Sequence, residues 1–391
     1  MASWDPTLEM TRQALRTTMP VAKNWAYFDH AAVAPLPAPT RETLTRWANQ
    51  ACSAGITNWT SWAKEIEQTR AVAARLIGAH SREIALVPNT TSGITLVAEG
   101  LDWEAGDQVI TLADEFPSNL YPWLNLADRG VKTHRLPTDL GRIELDRLAT
   151  ACNARTRLIS ISWVGYATGY RQPLAEIAEI AHRHGALLLV DAIQGIGALP
   201  LDVSEVPIDF LAADGHKWML GPEGAGIAYI RQAHLERLRP LGVGWNSVVH
   251  AFDFSRIELD LKPSAGRYEG GSQNMAGFLA LGTSLRMLQD AGIDQIARAI
   301  IDLTDMACDQ LLELGAQIHT HRQLGAGGHD PRSGIITFEI PGQNAQLIQR
   351  HCRRENVVVS CRGGYLRISP HAYNNVEDVE RLMAALNSYQ E

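Results

Sequence analysis

The sequence predicts an α/β fold, a mostly parallel, doubly wound sheet joined to a smaller α+β unit. Between residues 84 and 213, short apolar runs alternate with helix-forming stretches, the pattern of strands linked by crossover helices. Beyond residue 271 the pattern changes to two long helical segments followed by short strands and helices, which implies a separate sheet. A chain of 391 residues also exceeds what one compact core usually accommodates. We therefore expect a large domain over residues 20–255, with residues 1–19 and 256–391 forming a small one.

In chain order, residues 1–19 read as a short helix and 25–28 as an extended lead-in. Prolines at 35, 37 and 39 should delay regular structure until Arg41, from which a helix runs to about Ala51. Residues 59–77 form another helix. Strands are expected at 84–87, 108–112, 157–162, 187–190 and 208–213, with helices between them starting near Ser92, Asn119, Pro173 and Val203. The helix after Pro173 has the clearest signals: Leu174, Ile177 and Ala181 share one face, and Gly185 is a stop. Residues 224–230 make a strand that follows with no room for a crossover helix. Residues 242–271 carry few regular signals and lead toward the small domain. Helices at 275–291 and 293–314 come next, then strands at 334–340, 357–360 and 365–369 and helices at 345–355 and 376–386. Asn375 suits the N-cap of the last helix, whose apolar stripe is Val379, Leu382, Met383 and Leu386.

Hydrophobic content of 46% readily supplies two cores. A net charge of −8 argues against nucleic acid as a main partner, because phosphate binding needs a basic surface. Residues 1–19 mix Asp, Glu and Arg without an apolar segment, so no secretory signal is expected, and no run reaches membrane-span length. The five cysteines, Cys52, Cys152, Cys308, Cys352 and Cys361, are scattered and form no CxxC pair. Neither a disulfide framework nor a metal site is expected, and the setting is a reducing cytoplasm.

The chemistry concentrates in residues 187–217, where two buried-strand signals end in Asp191 with Gln194 and in Asp214 with His216 and Lys217. In a parallel sheet those ends share one edge, where ligands of open α/β folds bind. A lysine beside apolar surface can form a Schiff base with a carbonyl compound. Pyridoxal 5′-phosphate is the commonest such partner, and it needs an acid to keep its ring nitrogen protonated. Asp191 suits that acid, Lys217 the Schiff base, and Gln194 a hydrogen bond to the ring hydroxyl oxygen. Residues 89–94, NTTSGI, follow the first strand with the hydroxyls and N–H donors that a phosphate needs at a helix N-terminus.

The stretches VDAIQ and ADGHKWMLGPEGAGIAYI closely resemble the class V aminotransferase family, pyridoxal-phosphate enzymes that include cysteine desulfurases and isopenicillin N epimerases. The resemblance runs from the YFDHAA motif at 27–32 to RISP at 367–370. It implies a fold type I enzyme with a seven-stranded sheet in which 224–230 is antiparallel. It further implies phosphate contacts from Thr91, Ser92 and His216. Residues 270–274, GGSQN, resemble the segment that reaches the neighbouring subunit's phosphate, which implies Ser272 as a contact and a homodimer with shared active sites. Arg367 matches the arginine for a substrate carboxylate, with Arg362 a second candidate and His30 on the substrate side. The chain also departs from the family. Phe116 stands where desulfurases have a proton-shuttling histidine; it can stack on the cofactor ring but cannot move protons. Tyr166 is nearest the place of an asparagine beside the ring hydroxyl, as a donor or a wall. Asp214 replaces a serine, and a carboxylate facing a phosphate would be repelled.

The expected function is therefore a pyridoxal-phosphate enzyme acting at Cα or Cβ of an amino acid, by transamination, β-elimination or epimerisation. The alternative is a cysteine desulfurase or selenocysteine lyase using Cys361, against which stands the short connection of residues 361–364. A non-catalytic binding protein that keeps the fold is the third possibility.

Overall fold

The structure, a computed structural model, describes residues 6–389, so the first five residues of the expected N-terminal helix lie outside it. Helix α1 (Pro6–Thr17) leads into strand β1 (Ala26–Tyr27) and then to helices α2 (Ala38–Ala54) and α3 (Trp59–Leu76). Helix α2 starts three residues before the expected Arg41. Pro39 lies in its first turn, where a missing N–H costs nothing.

A seven-stranded sheet follows, built from β2 (Ile84–Val87), β3 (Gln108–Leu112), β4 (Lys132–Leu136), β5 (Thr156–Ser162), β6 (Leu187–Asp191), β7 (Phe210–Asp214) and β8 (Gly226–Ile230). Its order is β2-β8-β7-β6-β5-β3-β4. Pairings from β4 through β7 are parallel, and β8 runs antiparallel to both β2 and β7. The fold is thus the mostly parallel α/β sheet that the strand pattern implied. Alternate residues feed cores on its two faces. Ile110, Ile159, Leu188 and Leu211 pack on one side, and Val109, Leu158, Leu189 and Phe210 on the other.

The connecting helices are α4 (Thr90–Gly100), the single-turn α5 (Tyr121–Leu124), α6 (Leu145–Ala151) and α7 (Leu174–Arg183). Two expectations need correction here. The helix near Val203 is only a turn, and the one near Asn119 is reduced to a 3₁₀ turn and α5. Strand β4 and helix α6 had no sequence signal strong enough to predict them. Sequence KTHRL places three exposed polar side chains on an edge strand, where such residues discourage pairing with other chains.

After the irregular stretch 242–271, helix α8 (Met275–Ala291) packs its Phe278, Leu281, Leu285 and Leu288 into the same core as one face of the large sheet. Helix α9 (Ile293–Glu313) spans two cores: Ile296 and Ile300 belong to that one, Leu303, Ala307 and Leu311 to a third. The third core is formed by a four-stranded antiparallel sheet with its helices. Its strands are β9 (Gln317–Ile318), β10 (Ile336–Glu339), β12 (Ser360–Arg362) and β13 (Tyr365–Ile368), in the order β12-β13-β10-β9. Helices α10 (Ala345–Arg354) and α11 (Val376–Ser388) cover it, the latter capped by Asn375 in a capping box with Asp378. Strand β1 pairs with β11 (Val357–Val358), and an isolated bridge joins Asp29 to Ser369. Residues 26–34 thereby form a strap fastened to the C-terminal part. Among the described residues, no helix is long and apolar enough to cross a membrane.

Candidate active site

Strands β6 and β7 are parallel neighbours, so Asp191 and Asp214 close their ends on one edge of the sheet. A cavity of about 390 Å³ lies there, within the range of cofactor sites. It is lined by Asp191, Gln194, Asp214, His216, Lys217 and Arg367, with Phe116 and Tyr166 as aromatic walls.

Lys217 follows β7 and is 8% exposed. Burial strips water from its ammonium and brings its pKa down to about 8, although Asp191 favours the charged form. Its amine stands 5.7 Å from the centre of the Phe116 ring. Asp191 is buried, and burial raises its carboxyl to about 6, opposed by the Ile193 N–H at 3.1 Å and by Lys217. Glu115 lies behind it, also wholly buried; burial raises it to about 8 while Ser162 donates N–H and hydroxyl bonds to its carboxylate.

At the start of α4, Asn89 is the N-cap and accepts bonds from the Ser92 N–H at 2.8 Å and the Ser92 hydroxyl at 3.0 Å. Asn89, Thr90 and Thr91 line the cavity, and Thr91 donates to Ser118 at 2.8 Å. Ser92 and Ser272 do not reach it; both line an adjoining cavity of about 490 Å³, with Thr91 shared between the two. Asp214 turns one oxygen to the Gly215 N–H at 2.7 Å. Its other oxygen lies 2.9 Å from His216 Nδ1, at an angle outside hydrogen-bond geometry, so the contact is electrostatic. The carboxylate thus faces an imidazole.

Arg367, on β13, is 1% exposed and held from three sides. Its Nε donates to Ser360 Oγ at 3.1 Å, one Nη to the Tyr166 carbonyl at 2.7 Å and the other to Asp29 at 3.1 Å. Two of its five N–H groups remain for a carboxylate in the cavity. Phe116 and Tyr166 meet edge to face at 5.3 Å. Gln194 is buried, donating to the Ala31 carbonyl at 3.0 Å and accepting from the Trp218 indole at 2.9 Å.

The structure does not bring His30 to the cavity. It is fully buried, with Nδ1 at 2.9 Å from the Ser369 carbonyl, and is enclosed by Trp218, His371 and Tyr373. Cys361 lies within β12, paired with Leu366 across a two-residue Gly363–Gly364 turn. Its strand neighbours Ser360 and Arg362 face the site, one bonding Arg367 and the other lining the cavity. Side chains alternate along a strand, so the thiol points to the opposite face. Sequence reasoning missed Ser118, Trp218 and the orienting pair Asp29 and Ser360, and took Asn89 only as the first residue of the NTTSGI segment. Only Asn89 carried a signal, as a cap residue three positions before Ser92.

This donor set fits pyridoxal phosphate. A lysine amine with depressed basicity, a buried carboxylate, an amide with an N–H to spare, an exposed aromatic face and hydroxyls at a helix N-terminus converge on one cavity.

Comparisons with known proteins agree. A family model, aminotransferase class-V, matches residues 26–382. A probable cysteine desulfurase of Methanothermobacter thermautotrophicus is 31% identical, covering 95% of this chain and 96% of its own. A cysteine desulfurase of Shigella flexneri is also 31% identical over 92% of each chain. Among solved structures, an apo cysteine desulfurase from Thermococcus onnurineus aligns with a TM-score of 0.86 at 25% identity, covering 99% of this chain and 98% of that one. The cystine C–S lyase C-DES, in complex with its reaction product cysteine persulfide, aligns with a TM-score of 0.87 at 25% identity, covering 95% and 100%. The chain therefore belongs to the aminotransferase class-V family and is a pyridoxal-phosphate-dependent enzyme of that family.

Proposed function

We propose that this enzyme catalyses β-elimination from a sulfur-containing L-amino acid without forming a persulfide on the protein. The observation that carries this reading is the position of Cys361 on the far face of a tight hairpin, beside a cavity that otherwise has the equipment for Cα chemistry. Relatives named as cysteine desulfurases and the C–S lyase C-DES support sulfur amino acids as the substrate class.

Bound pyridoxal phosphate supplies an electron sink for the carbanion formed at Cα. The protein's groups do the rest. Lys217, once freed by substrate, takes the proton from Cα; an amine with pKa about 8 is close to the basicity that serves this best near neutral pH. Asp191 holds the proton at the ring nitrogen. Arg367 binds the substrate carboxylate through its two uncommitted N–H groups, and Phe116 offers a face for stacking. His216, Thr91 and the N-terminus of α4 would hold the phosphate, Ser92 would act through its bonds to Asn89, and Ser272 would reach the phosphate of the neighbouring subunit. Phe116 cannot shuttle protons, so the leaving sulfur is protonated by another group, for which Tyr166 is placed on the wall. His30 has a packing role. With cystine as substrate, the products are cysteine persulfide, pyruvate and ammonia.

The reading includes a homodimer, supported by the Ser272 segment beside the site and by the exposed apolar side chains Phe252, Phe254, Ile257 and Leu259 nearby in sequence. It also includes two domains, with α8 counted with the large one because it shares that core, and a cytoplasmic setting, supported by five unpaired cysteines. The test is product analysis with L-cystine and L-cysteine for wild type, Lys217→Ala and Cys361→Ala. We expect pyruvate with sulfane sulfur from L-cystine, and pyruvate with sulfide from L-cysteine, in the wild type and Cys361→Ala, and none of these products in Lys217→Ala. Loss of turnover in Cys361→Ala would instead select desulfurase chemistry, and keto acid without sulfur release would select transamination.

A further inference from the structure

We propose that Trp218 is a positioning residue for the cofactor ring oxygen, acting by locking the amide of Gln194 so that only an N–H faces the cavity. The inference rests on the reading above, in which Gln194 meets that oxygen.

An amide's oxygen and nitrogen are nearly indistinguishable by shape, so its orientation usually has to be inferred. Here chemistry decides it. An indole N–H can only donate, so its partner, at 2.9 Å, must be the amide oxygen. A backbone carbonyl can only accept, so the Ala31 carbonyl, at 3.0 Å, must meet the amide nitrogen. Both ends are thereby specified, and the one remaining N–H belongs to a side chain that lines the cavity.

Both anchors are themselves fixed. Trp218 is fully buried, and its carbonyl lies 3.1 Å from His371 Nε2. Glycines stand where it needs room: a Cβ on Gly334 would come within 2.3 Å of the indole ring, and one on Gly197 within 2.3 Å of the Trp218 carbonyl. Ala31 is held by its own N–H to Ser369 Oγ at 3.0 Å. A donor-only amide stabilises the ionised ring oxygen over the protonated one, because a hydrogen bond to an ionised acceptor is the stronger. Trp218 therefore biases the ionisation of a group it does not touch.

The experiment compares the absorption spectra of purified holoenzyme for wild type, Gln194→Leu, Trp218→Phe and the double variant at fixed pH. The ionised ring oxygen absorbs in the visible and the protonated one in the near ultraviolet. We expect Trp218→Phe to lower the visible-to-ultraviolet ratio about fivefold, which converts to ~1 kcal/mol, the scale of one hydrogen bond. Gln194→Leu should shift it the same way, and the double variant should match Gln194→Leu alone. If phenylalanine prevents folding, benzothienylalanine at 218 keeps the two-ring shape and lacks the N–H. An unchanged spectrum in Trp218→Phe, or additive shifts in the double variant, overturns the positioning role while leaving the cofactor reading intact. An unchanged spectrum in Gln194→Leu overturns the contact between Gln194 and the ring oxygen, and the proposal with it.

Discussion

In the cofactor-free protein, Lys217 should cost stability, and the cost should depend on pH in a predictable way. Burial lowers its pKa from the ordinary 10.5 to about 8, and the residue is 8% exposed, so solvent screens little of this effect. At about 1.4 kcal/mol per pH unit, the folded state holds the ammonium at a cost of about 3 kcal/mol relative to the neutral amine. Below pH 8 both folded and unfolded chains carry the charge, and the full cost applies. Between pH 8 and 10.5 the unfolded chain binds more protons than the folded one, so stability rises with pH. Above 10.5 both are neutral and the cost is gone. Urea unfolding of apoprotein at intervals from pH 7 to 10.5 measures this, with Lys217→Met as the reference in which other titrations cancel. We expect wild type to gain about 3 kcal/mol on the variant across that window. A difference that stays constant with pH would show that the amine is not desolvated in the folded state, and the argument for its basicity would fall.

Two more outcomes follow from the geometry. Arg367→Lys keeps a cation beside Asp29 but loses the planar fork, so KM for the amino-acid substrate should rise at least about tenfold with the cofactor spectrum unchanged; steady-state kinetics would expose an unaltered KM. At the opposite end of β7, buried Asp209 accepts the Leu188 N–H at 2.8 Å and faces His182 at 2.8 Å and His234 at 2.7 Å, and its pKa is held down by those bonds despite burial. Its stabilising contribution is present above the ordinary carboxylate range and lost as pH falls through and below it. Asp209→Asn should lose about 2 kcal/mol in urea at pH 7, less below pH 4, with normal cofactor binding; a loss of cofactor instead would refute its purely structural role.

What could be read from the sequence tracks how local each determinant is. Strands β2, β3, β5, β6 and β7 are almost wholly buried, so each appears as an apolar run, and Asp191, Gln194 and Lys217 stand out because polar groups end those runs. Edge strand β4 has no such run, since its exposed Lys132, His134 and Arg135 answer to solvent. The turn at Val203 has helix-compatible residues, but its Asp202 caps Ser204 and the chain goes directly into β7. His30 reads as a substrate-side residue because nothing nearby in sequence shows that His371 and Tyr373 enclose it. The same limit hid Trp218: its contact with Gln194 joins the segments that follow two different strands, 24 residues apart, and neither residue type alone announces it.

The strap at residues 26–34 has a consequence for how the protein is made. It ties His30 to Ser369, 339 residues along the chain, and hands the Ala31 carbonyl to Gln194. On the ribosome residues 26–34 emerge long before residues 357–369, so they wait for their partners. All seven strands of the large sheet are out once β8 is, yet the wall of its cavity stays unfinished until β13, with Arg367, follows. Until Ser369 is out, the Ala31 carbonyl lacks the contact that holds it against Gln194.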